Sequence, residues 1–220
     1  MNASTNNMKI RLIGMSALQF GVWGAYLISM GTYLFSAGMG DKIGYFYAMQ
    51  GVVALFMPAL MGMVADRWIP AQKLLAGCHA LSALFKVAMG YVAVSAIGSP
   101  ADEYPVLLLL YALSVAFYMP TLALSNSVSY TALEVVKLDP LKTFPPIRVF
   151  GTVGFICAMI ATDVLGFQSN ANQFFLSAAL GMVASAYALT LPACPVTHKH
   201  GGKSLKKILG FDAFSLFKQR

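Results

Sequence analysis

Val106–Leu133 reads VLLLLYALSVAFYMPTLALSNSVSYTAL, an apolar run without a single Asp, Glu, Lys, Arg or His. A helix rises about 1.5 Å per residue, so about 20 residues cross a hydrocarbon layer about 30 Å thick. This stretch is long enough to do so alone. Comparable runs lie at Ile10–Phe35, Ile43–Ala65, Leu74–Ala96, Ile147–Phe167 and Phe174–Leu191. Hydrophobic residues make up 58% of the 220 positions and charged residues 10%, against about 25% charged in a soluble domain. The expected fold is therefore an all-α membrane protein, a six-transmembrane-helix bundle. Most links are short (SAGMGD, DRWIPAQK, GSPADEYP, QSNANQ), so neighbouring helices return antiparallel. The longer EVVKLDPLKTFPP carries prolines that are expected to interrupt helical bonding before the fifth span.

The formal net charge of +7 would suggest nucleic acid in a compact soluble domain. Here the basic residues lie between spans and in the tail, which sets orientation instead. Lys9, Arg11, Arg67, Lys73, Lys137, Lys142, Arg148 and the tail cations from Lys199 to Arg220 fall on one side. Lys42 stands opposite with Asp41, Asp102 and Glu103. Both ends are thus expected to be cytoplasmic. Residues 1–196 read as the bundle. Residues 197–220 read as the start of a cytoplasmic linker with a short amphipathic helix (Leu205, Ile208, Leu209, Leu216), and the chain reads as cut before a second bundle.

Cys78, Cys157 and Cys194 form no CxxC, which argues against zinc or a disulfide framework and for small buried thiols. No hydrolase, metalloprotease or phosphate-loop motif occurs. The chain is read as a non-enzyme without cofactor or metal. Gly14, Gly21, Gly24 and Gly31 mark one face of span one for close helix approach, unless they are simple membrane-helix enrichment. Pro58 and Pro120 predict kinks.

Polar groups in the spans are the candidate functional residues. Ser114, Tyr118, Thr121, Ser125 and Ser129 form one stripe, and Gln19, Trp23, Tyr26, Met30 and Tyr33 another. They line a wet cavity or hydrogen-bond between helices. Arg148, Thr152 and Phe155 stand at i, i+4 and i+7. They offer fixed donors, a hydroxyl and a flat apolar ring to a hydroxyl-bearing ring compound or an anion. Arg148 has the alternative of snorkelling to headgroups. Lys86 sits mid-span, where it serves substrate, forms a structural pair or snorkels, and His79 lies seven residues before it as a titrating group or a neutral interhelical bond.

The stretches LQFGVWGAYLISMGTYLF (18–35), FMPALMGMVADRWIPAQKLLAGCHAL (56–81), AFYMPTLALSNSVSY (116–130), FPPIRVFGTVGF (144–155) and KILGFDAFSLFK (207–218) resemble the N-terminal half of nucleoside:proton symporters of the major facilitator superfamily. The resemblance covers Lys9 to Arg220. It implies half of a twelve-helix fold in the cell inner membrane, alternating access, and nucleoside and proton as partners beside membrane lipid and a C-terminal six-helix bundle. It also implies substrate-binding roles for Arg148, Thr152 and Phe155, and the polar stripes add Gln19, Trp23 and Tyr118 as further substrate-binding candidates. Asp66 and Arg67 resemble the superfamily's cytoplasmic gating pair, although Trp68-Ile69-Pro70 departs from the wider motif. Other solute carriers of the superfamily, for a sugar or drug-like compound, and a non-transporting six-helix assembly protein are the competing expectations.

Overall fold

The computed structural model describes residues 3–96 and 99–194. Seven α-helices occupy the described residues: α1 (Ala3–Gly24), α2 (Met30–Ser36), α3 (Ile43–Arg67), α4 (Ala71–Ser95), α5 (Tyr104–Val135), α6 (Pro140–Val164) and α7 (Asn172–Leu189). Five of them, α3 to α7, are long and apolar enough to cross a membrane. The amphipathic helix expected within 197–220 lies outside the described residues.

The first expected span, Ile10–Phe35, is not one helix. It breaks at residues 25–29, between α1 and α2. There the Tyr26 amide turns to the Trp23 carbonyl, 3.2 Å away, instead of continuing the i−4 pattern to Val22. Side chains of other helices take the carbonyls around the break. Ser177 of α7 donates to Val22 O at 2.6 Å, Thr162 of α6 to Ala25 O at 2.8 Å, and Tyr47 of α3 to Leu27 O at 2.8 Å. Irregular backbone at lipid depth is tolerated only where such partners satisfy it.

The prolines before the fifth span do not delay it, contrary to expectation. α6 begins at Pro140, with the Asp139 carboxylate accepting from the Leu141 amide at 3.0 Å as N-cap. Pro145 and Pro146 fall one turn later, opposite the carbonyls of Leu141 and Lys142. Both of those residues are exposed, so solvent or headgroups can satisfy what the prolines leave free. Helix runs unbroken through Pro58 in α3 and Pro120 in α5. Cys78 and Cys194 are buried free thiols as expected; Cys157 is exposed on α6, which corrects its reading as buried.

The bundle is held by three pairings along α1–α6, α4–α5 and α4–α7, with α3 lying outside against α5. Glycine decides the first. A Cβ on Gly154 would stand 2.6 Å from Ala17 Cα, and one on Gly24 would stand 2.8 Å from Phe155 Cα. Backbone thus meets backbone across α1 and α6, as small residues allow in membranes. At the opposite end from the break, Arg11 donates to the Thr190 carbonyl and the Tyr187 hydroxyl donates to Arg11 O at 3.1 Å, joining α1 to α7.

Candidate functional site

The α1–α6 seam sets the position of every group in the site. Arg148 leaves α6 one turn beyond the proline pair, and its guanidinium lies 3.6 Å from the centroid of the Phe20 ring on α1. Gly151 makes that stacking feasible. A Cβ there would meet Phe20 Cδ2 at 2.6 Å and the Arg148 Nη1 atom at 2.8 Å. The stack uses the cation's flat face and leaves its in-plane N–H donors available. Among the described residues none accepts a hydrogen bond from Arg148, and neither ion pair involves it. It is half-buried.

Phe20 leads to Trp23 at 6.4 Å between ring centroids, and Trp23 meets Phe155 edge-on at 6.5 Å and Tyr118 at 6.0 Å. The Trp23 indole N–H is buried and has no partner among the described residues. Arg148, Phe155 and Trp23 therefore form one aromatic and cationic surface, on which the Arg148 donors are unused. Thr152, between Arg148 and Phe155 on α6, is exposed. Such a surface can stack a planar ring and hydrogen-bond its oxygen or nitrogen acceptors.

Gln19 and Tyr118 lie one layer behind this surface rather than on it. Gln19 is 1% exposed and Tyr118 fully buried. The Gln19 amide donates to Thr121 Oγ1 at 2.7 Å and its oxygen lies 2.9 Å from His79 Nε2. Because an amide oxygen only accepts, His79 must carry its proton on Nε2 here. Its Nδ1 is buried without a partner. The Tyr118 hydroxyl donates to the Gln19 carbonyl at 2.6 Å, and Thr121 donates to the Tyr118 carbonyl at 2.6 Å. Of the two alternatives for the α5 stripe, interhelical hydrogen bonding describes Ser114, Tyr118 and Thr121, and Ser125 and Ser129 are buried with them. The neutral interhelical bond describes His79.

Gln19→Leu removes the hub that serves both Thr121 and His79, leaving buried polar groups unmatched at about 1–3 kcal/mol. Thr121→Val strands only the Gln19 amide N–H and leaves the Gln19–His79 contact in place, so it should cost nearer the low end of that range, about 1 kcal/mol. Thermal midpoints in detergent check this: the Gln19 variant should fall clearly further. Equal losses would remove Gln19 from the centre of the network.

A family model described as nucleoside H+ symporter matches residues 6–220. The chain belongs to the nucleoside H+ symporter family. Within relatives of this kind, the chain is 40% identical over 214 residues to xanthosine permease of Escherichia coli (strain K12), covering 96% of this chain and 49% of that protein. It is 38% identical over 218 residues to nucleoside permease NupG of the same organism, covering 97% of this chain and 50% of NupG. The crystal structure of nucleoside transporter NupG superposes with a TM-score of 0.82 at 38% identity, covering 97% of this chain and 51% of that one. A mutant form of it superposes at 0.85 and 37% identity, covering 96% and 51%. The chain spans about half the length of the curated relatives it matches. These relatives are permeases and transporters by name, not enzymes.

The expected gating pair also has a definite place. Asp66 and Arg67 end α3 and are exposed; neither belongs to an ion pair among the described residues. A cavity of about 340 Å³ lies between the starts of α1 and α6, lined by Lys9, Ile13, Lys142, Thr143, Pro146, Ile147 and Phe150. It is separate from the Trp23–Phe155 surface. Phe20 and Gly151 escaped the sequence reading. Phe20 sits three residues before Trp23, and Gly151 three after Arg148, so helical spacing held the signal for both.

Proposed function

We propose that the chain forms the N-terminal six-helix bundle of a proton-coupled nucleoside carrier, with α1 and α2 together making the first crossing. The single observation that carries this reading is the Arg148 guanidinium, stacked on Phe20 and unpaired, beside the Trp23–Phe155 rings. A nucleoside presents a flat base for Phe155 and Trp23 and acceptors on base and sugar for Arg148 and Thr152. Gln19 and Tyr118 hold this surface from behind. The names of the relatives, xanthosine permease and nucleoside permease, support the same substrate class.

The whole activity belongs to a carrier in which a second six-helix bundle faces this surface and closes the cavity. Nucleoside and proton enter together, their tighter binding to the occluded form favours it, and rocking of the bundles opens the other side. Asp66 and Arg67 act at the cytoplasmic closure between bundles. Residues 1–196 form the bundle and 197–220 begin the linker to the second. The basic residues gathered on one side support a cytoplasmic location for both ends, and the likeness to bacterial permeases supports the inner membrane.

Uptake of labelled uridine into cells lacking their own nucleoside carriers, by the protein in its full native reading frame, tests the proposal. Saturable uptake that a proton uncoupler abolishes, and that nucleosides but not sugars compete away, is expected. Competition by sugars alone would assign the cavity to another solute class.

A further inference from the structure

Lys86 is the one ammonium buried inside a spanning helix among the described residues. It lies in α4 with 1% of its surface exposed. A charge at this depth is costly unless something holds it. Lys86 Nζ donates to Ser82 Oγ at 3.1 Å and lies 4.9 Å from the ring centroid of Tyr26 and 5.0 Å from that of Tyr118. Ser82 Oγ is in turn 3.2 Å from Ser114 Oγ. One oxygen and two negative ring faces thus enclose the cation.

No carboxylate supports it. The two ion pairs of the described residues are Asp41–Lys42 and Asp139–Lys142, both away from this position. From α4 itself the titratable neighbour is His79, held by Gln19. From the break after α1 there is Tyr26, whose hydroxyl is buried without a partner. From α5 there are Tyr118, bound to the Gln19 carbonyl, and Tyr111, which donates to Gln50 at 3.0 Å. α7 packs along α4 through residues such as Phe175 and Gly181. Its one titratable side chain, Tyr187, is bound to the Arg11 carbonyl at the far end. The cage is therefore aromatic, and its hold on the cation depends on where α1 and α5 stand.

Both walls connect to parts that can respond to a ligand. Tyr26 lies within the break between α1 and α2. Tyr118 packs on Trp23, which meets Phe155 of the nucleoside surface. We propose that Lys86 is a proton-binding site of the transport cycle, loaded from water while α1 stands away and the Tyr26–Tyr118 cage is open, and unloaded when the cage closes and strips water from the ammonium. On closing, an Nζ–H bond breaks, the electron pair stays on nitrogen as a neutral amine, and the proton passes to the water leaving toward the inner side. Reloading is the reverse, from water on the outer side when the cage reopens. A proton-coupled carrier needs such a group, whose affinity for the proton differs between its conformations. The assignment rests on the carrier reading and adds to it the place where a proton is held.

The first test needs no nucleoside. Trp23 and Trp68 are the two tryptophans of these 220 residues; replacing Trp68 and every tryptophan of the second bundle by phenylalanine leaves Trp23, packed against the cage, as the emission probe. In the full-length carrier in detergent, Trp23 emission should show a pH step that Lys86→Met removes and His79→Gln retains. Absence of the step in the parent, its survival in Lys86→Met, or its loss in His79→Gln overturns the assignment. The second test uses proteoliposomes. Lys86→Met should lose accumulation driven by an imposed pH gradient, bringing the accumulation ratio to about one, while nucleoside counterflow persists. Unaltered gradient-driven accumulation in the variant overturns the proposal. Failure of the parent to exchange nucleoside, with the emission step intact, would instead strike the nucleoside reading and leave the proton site standing.

Discussion

Arg148→Ala lowers nucleoside affinity about ten- to a hundredfold, the equivalent of one or two hydrogen bonds to a charged donor, while the carrier reaches the membrane in normal amount. The two halves of this expectation have separate causes. Affinity falls because the guanidinium is the one cationic donor on the Trp23–Phe155 surface, and no described residue competes for it. Abundance holds because the same lack of partners means that no buried acceptor is stranded when it goes. Arg148→Lys should recover little. An ammonium keeps the charge but not the flat face that Phe20 supports, nor the forked donors. Equilibrium binding to the purified carrier, with surface abundance measured in parallel, separates affinity from folding. Parent-like affinity in the alanine variant would remove Arg148 from the ligand surface.

Gly154→Ala and Gly24→Ala are expected to be the most damaging single-methyl changes in the bundle. The obstacle to each new Cβ is backbone: Ala17 Cα at 2.6 Å for Gly154, Phe155 Cα at 2.8 Å for Gly24. A side chain can rotate away, but a helix must move bodily. Overpacking of this kind costs about 1–3 kcal/mol, sometimes more, against the several tenths of a kcal/mol to about 1 kcal/mol that alanine gains over glycine in helix propensity. The steric cost wins. Gly77→Ala and Gly51→Ala supply the contrast, since nothing lies within 4 Å of a Cβ at either. They should be neutral or slightly stabilising. Melting curves of the four variants in detergent check the pattern. The Gly24 variant should also weaken nucleoside binding, because it displaces the residue that carries the Phe155 ring.

Span length and apolar runs made α3 to α7 legible, since lipid thickness sets a threshold that few other folds imitate. Of the four glycines of span one, close backbone approach was legible at Gly24, which meets Phe155; Gly14 meets the Tyr187 side chain of α7 and Gly31 meets nothing tightly. The break at residues 25–29 was not. Its stability comes from Ser177, Thr162 and Tyr47, hydroxyls far away along the chain, and no local signal marks a carbonyl that a distant side chain will take. The α5 stripe shows a subtler limit. Periodicity placed Ser114, Tyr118 and Thr121 on one face, but which neighbour that face meets depends on packing, and it meets α1 and α4. Prolines 145 and 146 misled for a related reason: their effect depends on the surroundings of the residues whose carbonyls they free, and Leu141 and Lys142 are exposed. Lys86 announced itself by cost alone, while its aromatic surroundings come from the break in the first crossing and from α5, which only the fold brings together.

The three hydroxyls that grip the unwound turn of the first crossing also decide when it can flex. In a dry interior, releasing the buried Ser177 or Thr162 hydroxyl strands a peptide oxygen with nothing to bind, so α6 and α7 act as a splint. Water is the substitute that can loosen it. The turn should therefore stiffen whenever the cavity empties of solvent and soften when it floods, making hydration the key that unlocks this joint.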